Sequence, residues 1–135
     1  MINIPNVIPH RYPFLMIDKV LEVEPNKWVK GYKNVTWNEW YITEGNKHMP
    51  STLIVEALAQ LGAFASMTKD NGLGFLSSLN GIEVLGQASP GDRIDLYYEI
   101  TKNKRGFVLG RGEASVGKKV IVKAHEIMIY IQPTR

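Results

Sequence analysis

The sequence predicts an α+β fold in which one long helix packs on a mostly antiparallel sheet, with strands on both sides of the helix in the chain. Three observations carry this. Residues 51 to about 69 are apolar on nearly every side, as in a buried helix. Runs of alternating residues bounded by turn signals flank it, as in DRIDLYYEI, where Ile94, Leu96, Tyr98 and Ile100 share one face. No repeat, low-complexity run or Gly/Ser linker intervenes, so residues 1–135 read as a single domain with one core.

In chain order, FLMIDKVLEVE (14–24) reads as a strand, Pro25-Asn26 as a turn and residues 27–37 as a second strand, which together make a hairpin. Residues 38–50 are polar and form the loop that delivers the chain to the helix. A hydroxyl on Ser51 or Thr52 can cap the helix by accepting from a first-turn N–H. Asp70-Asn71-Gly72 stops it, and only strand signals follow. Gly91-Asp92 opens the alternating strand, and 106–116 and 119–132 flank a Gly117-Lys118 turn.

Composition excludes several classes of function. Hydrophobic residues make up 44% and charged residues 21%, which suits a folded globular chain. The chain has no cysteine, so disulfides, thiolate metal ligands and a cysteine nucleophile are ruled out. The net charge of +3 is spread in twos and threes, as at Lys102, Lys104 and Arg105. This lacks the clustered footprint of a nucleic-acid binder but suits an acidic protein partner. The N-terminus lacks a basic start followed by an apolar core, and no apolar run approaches bilayer-spanning length. The expectation is a cytoplasmic protein without membrane insertion. His10, His48 and His125 stand far apart without carboxylates at ligand spacing, so no metal is expected. Neither a Gly-rich phosphate loop nor a Gly-x-Ser-x-Gly elbow occurs, and no cofactor is expected.

Inside the apolar helix, Glu56 and Gln60 are the strongly polar positions, and their i, i+4 spacing stacks them on one face. Burying a carboxylate among aliphatic side chains raises its pKa unless it is paired. That environment suits either an acid–base group in an apolar cleft or a carboxylate at a groove edge bonded to Gln60 or a backbone N–H.

PHRYPFLMIDKV (9–20) and MPSTLIVEALAQ (49–60) closely resemble the FabZ-type 3-hydroxyacyl-[acyl carrier protein] dehydratases, with a weaker likeness in SPGDRIDLYYEI (89–100) and the strands after it. The resemblance implies a hot-dog fold, a curved sheet wrapped round one central helix, in subunits that pair as homodimers or higher oligomers with active sites at their interface. It also implies dehydration of a 3-hydroxyacyl chain held as a thioester on acyl carrier protein, using a helix glutamate and a histidine from different subunits. Glu56 matches the glutamate and Gln60 its companion. N–H groups at the helix start, near Ser51 where the family usually has glycine, would polarise the thioester carbonyl. Phe75 and Leu76 fall where the family lines its acyl tunnel.

The histidine departs from the pattern. The family carries it in a Gly-His-Phe-Pro-Gly segment fourteen positions before the glutamate, and counting back from Glu56 reaches Ile42. Losing a general base typically costs about 10²- to 10⁴-fold in rate. His48, in the same loop, is the candidate substitute as a side chain that titrates near neutrality, the alternative being a loop residue or a helix-start contact. His10 is expected to be structural, and His125 to be an exposed strand residue. Three functions follow as expectations: an acyl-thioester dehydratase of full or reduced activity, a non-catalytic carrier-binding or partner subunit of an active dehydratase, or an acyl thioesterase.

Overall fold

A computed structural model describes residues 2–66 and 73–132. After a 3-10 turn at Ile4–Asn6 come β1 (Lys19–Glu24), β2 (Trp28–Asn34), α1 (Ser51–Ser66), β3 (Leu73–Val84), β4 (Arg93–Lys104), β5 (Phe107–Val116) and β6 (Lys119–Gln132). The strands form one antiparallel sheet in the order β1-β2-β4-β5-β6-β3. The crossover through α1 carries the chain from β2 to the far edge, where β3 pairs with β6.

Helix α1 contacts all six strands. Six strands at about 4.8 Å spacing span roughly 24 Å, while a helix with its side chains is only about 10 Å across. The sheet must therefore curl around the helix. This is the α+β arrangement expected from the sequence.

Helix and sheet meet tightly at Tyr98 on β4, which is fully buried and donates its hydroxyl hydrogen to the Ile127 carbonyl at 3.2 Å. Gly62 on α1 allows this approach, since a Cβ there would lie 2.9 Å from both the Tyr98 ring and Ile129 Cδ1. Gly110 on β5 clears the other side, where a Cβ would run into the Tyr98 ring and lie 2.6 Å from the Glu99 carbonyl oxygen.

Two strand boundaries and the helix cap differ from expectation. The first strand begins at Lys19 rather than residue 14, because the Met16 N–H and the Phe14 carbonyl are hydrogen-bonded to the Gln60 side chain instead of a neighbouring strand. The second strand ends at Asn34 rather than residue 37. The helix begins at Ser51, but the Pro50 carbonyl accepts from Leu53 N–H and Ile54 N–H. Pro50 therefore holds the cap position, and Ser51 and Thr52, the expected hydroxyl caps, lie inside the helix instead. The expected reach to about residue 69 and the Asp70-Asn71-Gly72 stop lie outside the described residues.

The loop before the helix is tied internally. Buried Lys33 sets its ammonium 3.3 Å from both Glu39 carboxylate oxygens and 3.5 Å from Asp18. Glu39 also accepts from the Thr36 N–H and hydroxyl, and the Asn46 amide donates to the Tyr41 and His48 carbonyls.

Candidate active site

Gln60 organises the site. It is buried, and its Oε1 accepts from the Met16 N–H at 2.9 Å. Its Nε2 donates to the Phe14 carbonyl at 2.9 Å and to Glu56 Oε2 at 3.0 Å. One acceptor bond and two donor bonds fix which end of the amide is oxygen. The side chain thus holds residues 14–16 against α1 and orients Glu56 one turn earlier.

The Glu56 side chain is 15% exposed. Burial pushes its carboxyl above the usual carboxylate range, and the Gln60 hydrogen bond partly offsets that rise. The sequence-based expectation of a carboxylate in an apolar setting therefore has a concrete geometry.

The stretch held by Gln60 also delivers His10. Arg11 folds back on its own segment and donates to the carbonyls of Pro5, Ile8 and His10 at 2.8–2.9 Å. His10 Nε2 lies 3.8 Å from Glu56 Oε2, and its ring stacks at a tilt over Phe14 with centroids 6.1 Å apart. Burial first, then the Arg11 charge, lowers its pKa below that of a free imidazole. Its Nδ1 is buried and makes no hydrogen bond. An unsatisfied buried polar atom costs about 1–3 kcal/mol.

These groups share one pocket of about 370 Å³. His10, Glu56 and Gln60 supply its polar side. Phe14, Ala59, Ala63 and Ile129 supply apolar walls, and Phe75 and Leu76 approach from β3. Positions 56, 59, 60 and 63 form one helical face, and the two alanines leave the room that longer side chains would fill.

Of the residues singled out from sequence, Glu56, Gln60, Phe75 and Leu76 are brought together here. His48, Ser51 and Ile42 do not line this pocket within the chain. His48 Nδ1 lies 3.1 Å from Ser89 Oγ, Ser51 is half-buried at the helix start, and Ile42 packs partly buried against the core. His10 was expected to be structural, yet it stands at Glu56. Its only sequence signal is its place in the PHRYPF segment, 46 residues before Glu56. Among the described residues no group of three or more His, Asp or Glu is arranged to hold a metal ion. Nor is any helix among them long and apolar enough to cross a membrane.

Comparison with known proteins places this geometry in context. Residues 8–125 match the family model described as the FabA-like domain. The chain is 51% identical over 125 residues to the uncharacterized protein YcsD of Bacillus subtilis, covering 93% of this chain and 95% of that one. It is 43% identical over 128 residues to the 3-hydroxyacyl-[acyl-carrier-protein] dehydratase FabZ of the same organism, covering 88% and 89%. Among solved structures, the dehydratase heterocomplex ApeI:P from Xenorhabdus doucetiae aligns with a TM-score of 0.83 at 18% identity, covering 100% of this chain and 93% of that one. A hypothetical thioesterase with coenzyme A from Streptococcus pneumoniae TIGR4 aligns with a TM-score of 0.69 at 11% identity, covering 87% of each chain. At such identities the structural matches speak for the fold.

Proposed function

Because the chain belongs to the family of FabA-like domains and has the hot-dog fold, we propose that it dehydrates 3-hydroxyacyl thioesters on an acyl carrier protein, with Glu56 as an acid–base group. The observation that carries this reading is the setting of Glu56: a carboxyl raised by burial, oriented by Gln60 and facing an apolar pocket. The reaction needs a base for the acidic C2 proton beside the thioester carbonyl and an acid for the departing C3 hydroxyl. A carboxyl held above its usual range carries a proton nearer neutral pH and suits the second task. The alkyl chain lies along Ala59, Ala63, Phe75 and Leu76, and the positive end of α1 near Ser51 polarises the carbonyl.

Strand β3 supports pairing of subunits. It lies at the sheet edge, and Phe75, Leu76 and Leu79 are exposed along it, so a second copy would cover apolar surface that one chain leaves open. Lys102, Lys104 and Arg105, at the exposed tip of the β4–β5 hairpin, suit an acidic carrier.

Purified protein incubated with 3-hydroxyacyl carrier-protein thioesters of several chain lengths forms trans-2-enoyl thioester and water, and Glu56→Gln abolishes this. No turnover at any length overturns the reading. A second reading, a non-catalytic partner of an active dehydratase, is favoured by Ile42, since the position counted for the family histidine now packs on the core. Co-purification with an intact dehydratase, with no turnover by the chain alone, would establish it. Release of free acid in the same assay would instead identify a thioesterase.

A further inference from the structure

We infer that His10 is the second catalytic residue of this pocket, working through Nε2 and exchanging a proton with Glu56 of the same chain. The inference rests on the dehydratase reading above. It replaces the expectation that the substitute base is His48, whose ring is engaged with Ser89.

Geometry comes first. His10 Nε2 and Glu56 Oε2 are 3.8 Å apart, too far for a direct hydrogen bond. The gap is right for one oxygen between them, because a hydroxyl about 2.8 Å from each atom fits across it. The C3 hydroxyl of a substrate, or a water, has that size. His10 and Glu56 are the only titratable side chains lining the pocket among the described residues. Arg11 also bears on His10, but its guanidinium is taken up by three backbone carbonyls.

The ring has one working nitrogen. Nδ1 is sealed from solvent without a partner, so only Nε2 addresses the pocket. An imidazolium would carry its positive charge into a partly buried setting beside Arg11, so the resting ring is neutral, in keeping with its lowered pKa. With the hydrogen on Nδ1, Nε2 offers a lone pair. Phe14 against one face and Arg11 clamping the segment hold the ring in place.

The cycle closes without another reagent. The Nε2 lone pair takes the C2 proton, the C–H electrons become the C2–C3 double bond, and the C3–O bond breaks as the Glu56 carboxylic acid protonates the departing hydroxyl. Water and the enoyl thioester leave. An imidazolium and a carboxylate remain, and a water entering the gap relays the proton from Nε2 to Oε2.

The test uses two independent readouts on the full chain. In turnover, His10→Asn lowers kcat by about 10²- to 10⁴-fold while KM changes far less, its pH profile loses the limb due to the imidazole, and added imidazole restores part of the rate to His10→Gly. His125→Gln, on the exposed outer face, keeps the wild-type rate. A wild-type kcat in His10→Asn overturns the inference, as does transfer of the pH-dependent limb to His48→Ala. The second readout needs no substrate. The chain has three histidines, so substitution assigns each ring resonance in an NMR titration. His10 titrates below a free imidazole, and its midpoint moves lower in Glu56→Gln, where no carboxylate remains to share the charge. An unmoved midpoint overturns the pair even if no thioester is turned over. A coupled pair in a protein that turns over nothing refutes the dehydratase reading instead.

Discussion

On the side of α1 that carries Leu58, Leu61 and Gly62, the sheet comes so close that a methyl group at Gly62 would collide with Tyr98. On the side that carries Glu56, Ala59, Gln60 and Ala63, the same helix stands back and leaves a pocket of about 370 Å³. Leu61 is 0% exposed and Ala63 3%, so exposure hardly separates the two sides. What separates them is side-chain volume and polarity. The tight side meets the sheet with Leu58 and Leu61, and glycines admit a tyrosine between the layers. The open side pairs two alanines with two polar residues, a combination that builds space and places a mostly buried carboxyl at its border. One helix thus supplies both the anchor of the fold and the wall of the site.

Substitutions can break this contrast. The largest effect is expected at the anchor. Tyr98→Ala removes a fully buried ring and its hydrogen bond to Ile127 and should cost about 3–5 kcal/mol, read as a lower denaturant midpoint with an unchanged slope. Gly110→Ala follows at about 1–3 kcal/mol, since the new Cβ meets both the Tyr98 ring and the Glu99 carbonyl oxygen. Ala63→Leu adds more atoms than Gly110→Ala but sends them into the pocket, so stability falls by less than about 1 kcal/mol. Its effect appears in substrate choice, as a shorter longest acyl chain accepted in the turnover assay. A stability loss for Ala63→Leu equal to that of Gly110→Ala would mean the two sides of the helix are packed alike.

The same contrast explains what was legible from sequence. The helix, the alternating strand at 94–100 and the final hairpin follow local patterns that their own residues carry, and all three are present. Glu56 and Gln60 stood out because polar residues are rare inside an apolar helix. The start of β1 did not follow its pattern, because Gln60 takes the backbone groups of residues 14 and 16 from 46 and 44 positions away. Strand β3 had no definite bounds in the sequence. It is an edge strand in which Phe75, Leu76 and Leu79 are exposed among Ser77, Ser78 and Asn80, so no buried face imposes an alternation. The nearness of His10 to Glu56 was not legible for a related reason. Its meeting with Glu56 depends on Arg11 tying up the N-terminal segment and on Gln60 draping that segment over the helix, and neither contact leaves a local signature. His48 was favoured by nearness along the chain, whereas its ring partner Ser89 lies 41 residues on.

The smallest effect, and the sharpest on the site itself, is the pH dependence of stability. Glu56 has a raised pKa in the fold, so the native state holds its proton more tightly than the unfolded chain does. Its contribution is therefore fully present below the ordinary carboxylate range and is lost as pH rises through the raised folded value. Glu56→Gln, which keeps the shape without the charge, should melt higher than wild type at neutral pH, with the difference closing toward pH 3. His10 has the opposite sign. Its lowered pKa means the unfolded chain binds the proton more tightly, so its contribution is present above the ordinary imidazole value of 6.5 and is lost as pH falls toward the folded one. His10→Asn should remove that acid-side loss, flattening the melting curve below pH 6.5. Thermal melts of the two variants across pH 3–8 separate the contributions, because one variant gains on the alkaline side and the other on the acid side. Parallel curves for both would mean that the buried pair carries no burial penalty, and the open side of α1 would then be ordinary surface rather than a site held at a cost.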